Sequence, residues 1–211
     1  MPLQNRVDPF GDLKAVSARG LFLGNRGGRI HTGERTLTRR RWTSRAWICC
    51  VLAFKNRHRA VWGNSYTELF FLDEPTALAA GHRPCFECRR ADALGFAAAW
   101  ARGHGLAASP RAPAMDTVLQ AQRLDGRAKR RHRAALDGLP DGAMIAGGER
   151  GDHALAVRGK TLLPWTPSGY GSPQPRPRGV AVDLLTAPAI VAALAAGYRP
   201  QWHPSAGGVS I

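Results

Sequence analysis

The stretch Gly81-His82-Arg83-Pro84-Cys85-Phe86-Glu87-Cys88-Arg89-Arg90 constrains this chain more than any other. Two cysteines stand three positions apart, just after a turn and at the entrance to a helical run. That spacing gives two sulfurs the bite of a metal ion, and the free N–H groups at a helix start favour thiolate charge. A structural site of this kind takes four thiolate or imidazole ligands at about 2.0–2.3 Å. The remaining cysteines are Cys49 and Cys50. Cys49, Cys50, Cys85 and Cys88 are therefore the candidate ligands, and Zn2+ the candidate ion. A redox dithiol is the other use of a CxxC, but it expects a βαβ setting that the flanking pattern lacks.

The adjacent pair poses a geometric problem. Residues 46–54 form a continuous apolar run whose length suits a buried strand. Successive side chains on a strand point to opposite faces, so Cys49 and Cys50 both reach one ion only if the strand bends or bulges. If one of them ligates, His58 or His82 is available to complete the set. The alternative is that both are small buried hydrophobes.

Around this centre the pattern reads as α+β. Residues 1–45 are polar, glycine-rich and basic, and are expected to form a flexible arm. Within them, Gly24-Asn25-Arg26-Gly27-Gly28-Arg29 has the composition of an anion nest but not the lysine or spacing of a P-loop. Residues 60–62 and 66–72 read as further strands of a small antiparallel sheet. Asp73 is a helix N-cap, Glu74 and Pro75 suit a first turn, and Gly81 suits the stop. A longer helix follows over residues 89–102, with Phe96 and Trp100 on one face. Gly95 inside it marks a close approach or a weak point. The CxxC–helix module spans residues 46–106. A loop over residues 107–114 leads to a helical connector and a β-rich C-terminal part, together residues 115–211, which either stand apart or pack on the module. Strands are expected at 143–146, 153–157, 161–165 and 180–185, then a helix at 187–196 capped by Thr186.

Charge points to the partner. Thirty Lys+Arg against 15 Asp+Glu give +15, most of it arginine, which suits bidentate phosphate contact. Arg39, Arg40, Arg41, Arg45, Arg57, Arg59, Arg89 and Arg90 flank the cysteines and are the candidate nucleic-acid contacts. Trp42 beside them is placed to stack on a base. The run at 127–133 is the densest in charge and serves either a solvated face or phosphate. A generally arginine-rich composition without any nucleic-acid role is the alternative. No apolar run approaches the roughly 20 residues that span a bilayer. The first 13 residues lack the apolar core of a secretory signal, so the cytoplasm is expected, where thiols stay reduced.

Residues 66–89, with their two phenylalanines, short helix and Gly81-His82-Arg83-Pro84-Cys85-x-x-Cys88-Arg89, resemble the metal-binding domain of Ada-type alkylation DNA-repair proteins. With Cys49 and Cys50 included, the likeness covers residues 46–90. It implies one zinc held by four cysteines, DNA binding through basic residues, and transfer of a methyl group from a DNA phosphotriester to one cysteine. The family's first pair is spaced Cys-x-x-x-Cys, whereas Cys49 and Cys50 are adjacent, which puts methyl acceptance in doubt. There is also no Pro-Cys-His-Arg alkyltransferase motif and no helix-turn-helix.

Three functions follow as expectations. The first is a nucleic-acid-binding protein, with DNA the expected partner, built on a structural zinc site and serving DNA repair or modification. The second is a DNA-acting enzyme, either a zinc-thiolate methyl acceptor or a nuclease drawing on His31, Glu34, His58 or Glu68. The third is a protein-interaction module over residues 139–196, with residues 165–170 lining a pocket.

Overall fold

Strands of two to four residues are stable only when their partners come from far along the chain, and the first half of this protein finds such partners. The computed structural model describes residues 1–57 and 60–207. Its first sheet contains β1 (Arg6–Val7), β2 (Leu13–Lys14), β3 (Phe22–Asn25), β4 (Ile48–Val51), β5 (Leu69–Phe71) and β6 (Arg83–Pro84), in the order β2-β1-β5-β3-β4-β6. β1 runs parallel to β5 and β4 parallel to β6, so this sheet is mixed rather than wholly antiparallel.

The expected flexible arm is thus part of the sheet. β3 lies between β4 and β5, with Leu23 opposite Cys50 and Phe70. Gly24 makes this possible. A Cβ there would stand 2.2 Å from Ile48 O and 2.7 Å from the Phe71 ring, so only glycine lets the three strands close up. Residues 60–62, expected as a strand, form a turn with Trp62 at φ 57°.

α1 (Glu74–Ala79) is buried along its whole length. Asp73 caps it as expected, accepting from Thr76 N at 3.0 Å, and Gly81 leaves it at φ +89°. α2 (Arg90–Gly103) and α3 (Ala112–Arg123) follow, then the hairpin β7 (Leu124–Asp125) and β8 (Ala128–Lys129). Gly95 on α2 has open space beside it, so it is not a close-packing glycine.

The second sheet is formed by β9 (His132–Ala135), β10 (Met144–Gly147), β11 (His153–Arg158), β12 (Thr161–Thr166), β13 (Gly169–Tyr170), β14 (Gln174–Pro175) and β15 (Ala181–Leu184). Its main path is β13-β12-β11-β10-β15-β9, with β14 also on β12. α4 (Pro188–Ala195) closes the fold. Thr186 does not cap it; its hydroxyl accepts from Met144 N at 2.9 Å instead, and Ala187 takes the cap position without a side-chain bond. The chain is α+β, with short helices set against small sheets.

Four apolar clusters hold these parts together, and two of them join the chain's halves. One combines Leu78, Phe96 and Trp100 with Met115, Ile190, Leu194 and Tyr198. Another sets Leu72 and Ala79 against Met144, Leu163, Tyr170 and Leu185. α1 therefore lies between the two sheets, and the acids at its start tie it to the second half of the chain. Asp73 Oδ2 accepts from Tyr170 OH at 2.9 Å and His203 N at 3.1 Å. Glu74 accepts from Tyr198 OH at 2.6 Å and Gln201 N at 2.9 Å.

Candidate metal centre

The cysteine site is assembled by strand register. β4 pairs with β6, Cys49 opposite Pro84, and Cys85 N donates to Cys49 O at 2.9 Å. This brings the CxxC turn beside the next residue of β4, Cys50. In the turn itself Glu87 N donates to Cys85 Sγ at 3.4 Å and Arg89 N to Cys85 O at 3.0 Å. The sulfurs of Cys50, Cys85 and Cys88 all lie within 4.8 Å of one another. Three thiols from two remote segments are close enough to share one metal ion.

Cys49 does not join them. It occupies the opposite face of β4, fully buried with Val7, Phe22, Leu69 and Phe71. The β4 backbone stays regular, so alternation separates the neighbours and no bulge reunites them. Burial pushes the Cys49 thiol well above its ordinary pKa, with the Glu74 carboxylate adding to the effect. Its sulfur accepts from Arg89 Nη1 at 3.3 Å.

The three clustered thiols behave as one unit. Hydrogen bonds to Cys85 and then Cys88 hold the Cys50 proton on, pushing its pKa far up. The same bond from Cys50 draws Cys85 well below the ordinary thiol value. Three thiolates cannot coexist this close without a cation between them, and a soft divalent ion is the natural counter-charge.

The histidines expected to complete the set fall elsewhere. His82 is fully buried, edge-on to Phe71 at 4.7 Å and tilted against Trp47 at 5.0 Å between ring centres. It is not among the residues of the sulfur cluster. Burial, and next the charge of Arg26, push its pKa well below the ordinary value, so it is neutral. His58 lies outside the described residues.

The sulfurs open on a cavity of about 820 Å³ that Leu23, Phe54, Glu68 and Phe70 also line. Glu68 is 3% exposed. Its Oε2 accepts from Trp62 N at 2.8 Å, while Oε1 is buried with no partner. Of the other residues considered for a nuclease, His58 lies outside the described residues. His31 bonds Thr67 Oγ1 and Gly63 O through its two ring nitrogens and stacks on Trp62. Glu34 is exposed.

The expected basic contacts divide into groups. Arg39, Arg40 and Arg41 line one open cleft of about 470 Å³ with Trp42, Thr43 and Arg127. Arg45, Arg57 and Arg90 are exposed, Arg57 paired with Glu87 at 2.6 Å. Arg59 lies outside the described residues. Arg89 is not a surface contact. It is 4% exposed, 2.9 Å from Glu74 Oε2 and 2.8 Å from Asp92 Oδ2, with its guanidinium over the Phe22 ring. Burial opposes its charge, but the bond to Glu74 and that group's charge lift its pKa above the ordinary value. Arg26 stands in the glycine-rich stretch and Lys129 in the charge run that the sequence offered to an anion, whereas Arg123 was missed; the burial of Arg26 and Arg123 has no periodic signature. Residues 165–170 serve packing: Trp165 Nε1 donates to Thr76 Oγ1 at 2.9 Å, and Tyr170 holds Asp73.

No helix among the described residues is long and apolar enough to cross a membrane. Comparison with protein-family models, with curated proteins and with solved structures finds no match to this chain.

Proposed function

We propose that this chain is a zinc-stabilised protein that binds nucleic acid, with DNA as the expected form and repair or modification as the setting. One observation carries the binding reading. An open cleft is lined by Arg39, Arg40, Arg41 and Arg127 with Trp42 among them, and no carboxylate residue lines it. Guanidinium groups neutralise phosphates while an indole stacks on a base. The three sulfurs would supply three of the four ligands of a structural zinc site. Cys50, Cys85 and Cys88 would hold the ion, which would keep all three as thiolates and fasten β4 and β6 to the start of α2.

Two measurements on the full chain test this. Elemental analysis is expected to find one zinc per molecule. Binding of a fluorescent duplex is expected to weaken steeply as salt rises and to weaken on R39Q or R40Q, with a shallower salt slope. Indifference to salt, or no binding at low salt, overturns the nucleic-acid reading.

A second reading, a DNA-acting thiolate enzyme, is favoured by the cavity. Cys50 and Cys88 are half-buried and line it rather than being sealed in the core. In that reading a cysteine thiolate attacks a methyl carbon on a phosphotriester. The S–C bond forms as the C–O bond breaks, and the phosphodiester oxygen leaves with the bonding electrons. Mass spectrometry after incubation with methylated DNA decides it: a cysteine carrying a methyl group supports the enzyme, and unmodified cysteines leave binding alone.

A further inference from the structure

Of the four buried arginines among the described residues, two face an acid. Arg83 meets Asp116 through two bonds of 2.8 Å, and Arg89 meets Glu74 at 2.9 Å. Arg26 and Arg123, 3% and 1% exposed, are the other two. Arg26 donates to Gly11 O at 2.8 Å and to His82 Nε2 at 3.4 Å. Arg123 donates to Gly81 O at 2.9 Å, and to Arg45 O and Gln120 Oε1 at 2.6 Å. Lys129 Nζ donates to Ala79 O. All these acceptors are neutral. Trp47 is gripped between the two guanidinium groups, whose carbons stand 4.1 and 4.0 Å from its ring centre.

The three cations converge on one cavity of about 290 Å³, and Arg41 and Arg127 bring two more to its wall. Among the described residues Asp12 is the only carboxylate residue lining it, and that carboxylate is engaged by Lys14 at 3.2 Å. Stacking on indole relieves part of the charge. It does not offset mutual repulsion in a poorly solvated space. Burial pushes Lys129 down to about 7, and Arg26 and Arg123 down to about 9; the charges of Arg26 and Arg123 lower Lys129 further, while Asp8 and Asp12 offset part of the fall at Arg26 and Asp116 part of it at Arg123. A fold that pairs its other buried arginines internally has left these for an anion from outside.

The shape narrows the anion. Arg41, Trp42 and Arg127 line both this cavity and the open cleft, so the two adjoin across these side chains. A phosphate monoester offers three terminal oxygens and up to about two negative charges, more than a backbone diester can present to a guanidinium fork. We propose that this pocket binds a phosphate monoester, and that its source is the terminal phosphate of a nucleic-acid strand lying in the outer cleft. The source rests on the nucleic-acid reading; the phosphate chemistry does not.

The test titrates the full chain with oligonucleotides of one sequence bearing a 5′-phosphate, a 3′-phosphate or hydroxyl ends, and separately with adenosine monophosphate and inorganic phosphate. The expected result is at least about tenfold tighter binding of one phosphorylated strand than of the hydroxyl strand. Inorganic phosphate should compete away that increment alone. K129Q, and the rim variants R41Q and R127Q that spare the core, should each shrink it. Phosphate should also raise the melting temperature more than chloride of equal ionic strength. Equal affinity for all ends, with no phosphate competition, overturns the pocket and leaves nucleic-acid binding standing. Binding of the mononucleotide with no strand binding keeps the pocket and overturns the nucleic-acid reading. Absence of both, in protein whose melting transition is intact, overturns the two together.

Discussion

Cys49 and Cys50 are chemically identical neighbours with opposite fates, and the alternation of one strand decides between them. Serine at Cys50, Cys85 or Cys88 is expected to abolish stoichiometric metal uptake. C49A should keep the metal and lose about 1–2 kcal/mol of stability, from a small cavity and the lost acceptor for Arg89. Metal analysis and urea unfolding of the variants check both. The CxxC was legible because its spacing is local. The choice between Cys49 and Cys50 was not, because it depends on which face of β4 meets the core. Lys129 carries a second residue-scale prediction. Burial lowers its pKa from 10.5 to about 7, the charges of Arg26 and Arg123 add to the fall, and Asp8 opposes it. Between those values the unfolded chain holds a proton that the folded chain has released, so folding stability gains as pH rises through that window. Unliganded protein should melt higher at pH 9 than at pH 7, and the rise should shrink in K129M. A K129M profile as steep as the wild type counts against the assignment.

Among the elements, α1 shows how far sequence rules reach. Its cap, its proline and its stop at Gly81 follow from residue types alone. Its partners do not, since Tyr170, Tyr198, Gln201 and His203 lie about a hundred residues away or more. Glu74 is fully buried against Arg89, with three further hydrogen-bond contacts to Tyr198 and Gln201. Removing Glu74 strips Arg89 of its buried partner and leaves it only the partly exposed Asp92. E74A is therefore expected to cost about 3–5 kcal/mol, measured by denaturant unfolding. Thr186 shows the rule failing: its hydroxyl satisfies the first N–H of β10 instead of a helix start, because the sheet reaches that atom first.

At the scale of the whole molecule, the first 45 residues were misjudged for a physical reason. Strands of two residues carry no readable period, and glycine-rich basic sequence resembles an arm until Gly24 is seen between β4 and β5. The surplus of positive charge was legible, but its division was not. Arg83 and Arg89 are paired inside, Arg39–Arg41 face a cleft, and Arg26 and Arg123 are buried beside neutral acceptors.

The peptide between α2 and α3 is exposed from residue 104 to residue 109, whereas the clusters containing Leu78 with Leu194, and Ala79 with Met144, cross from one side of it to the other. A protease that nicks this crossing should therefore leave a particle that still sediments as one and melts in one step. Two halves made as separate polypeptides should find each other in solution.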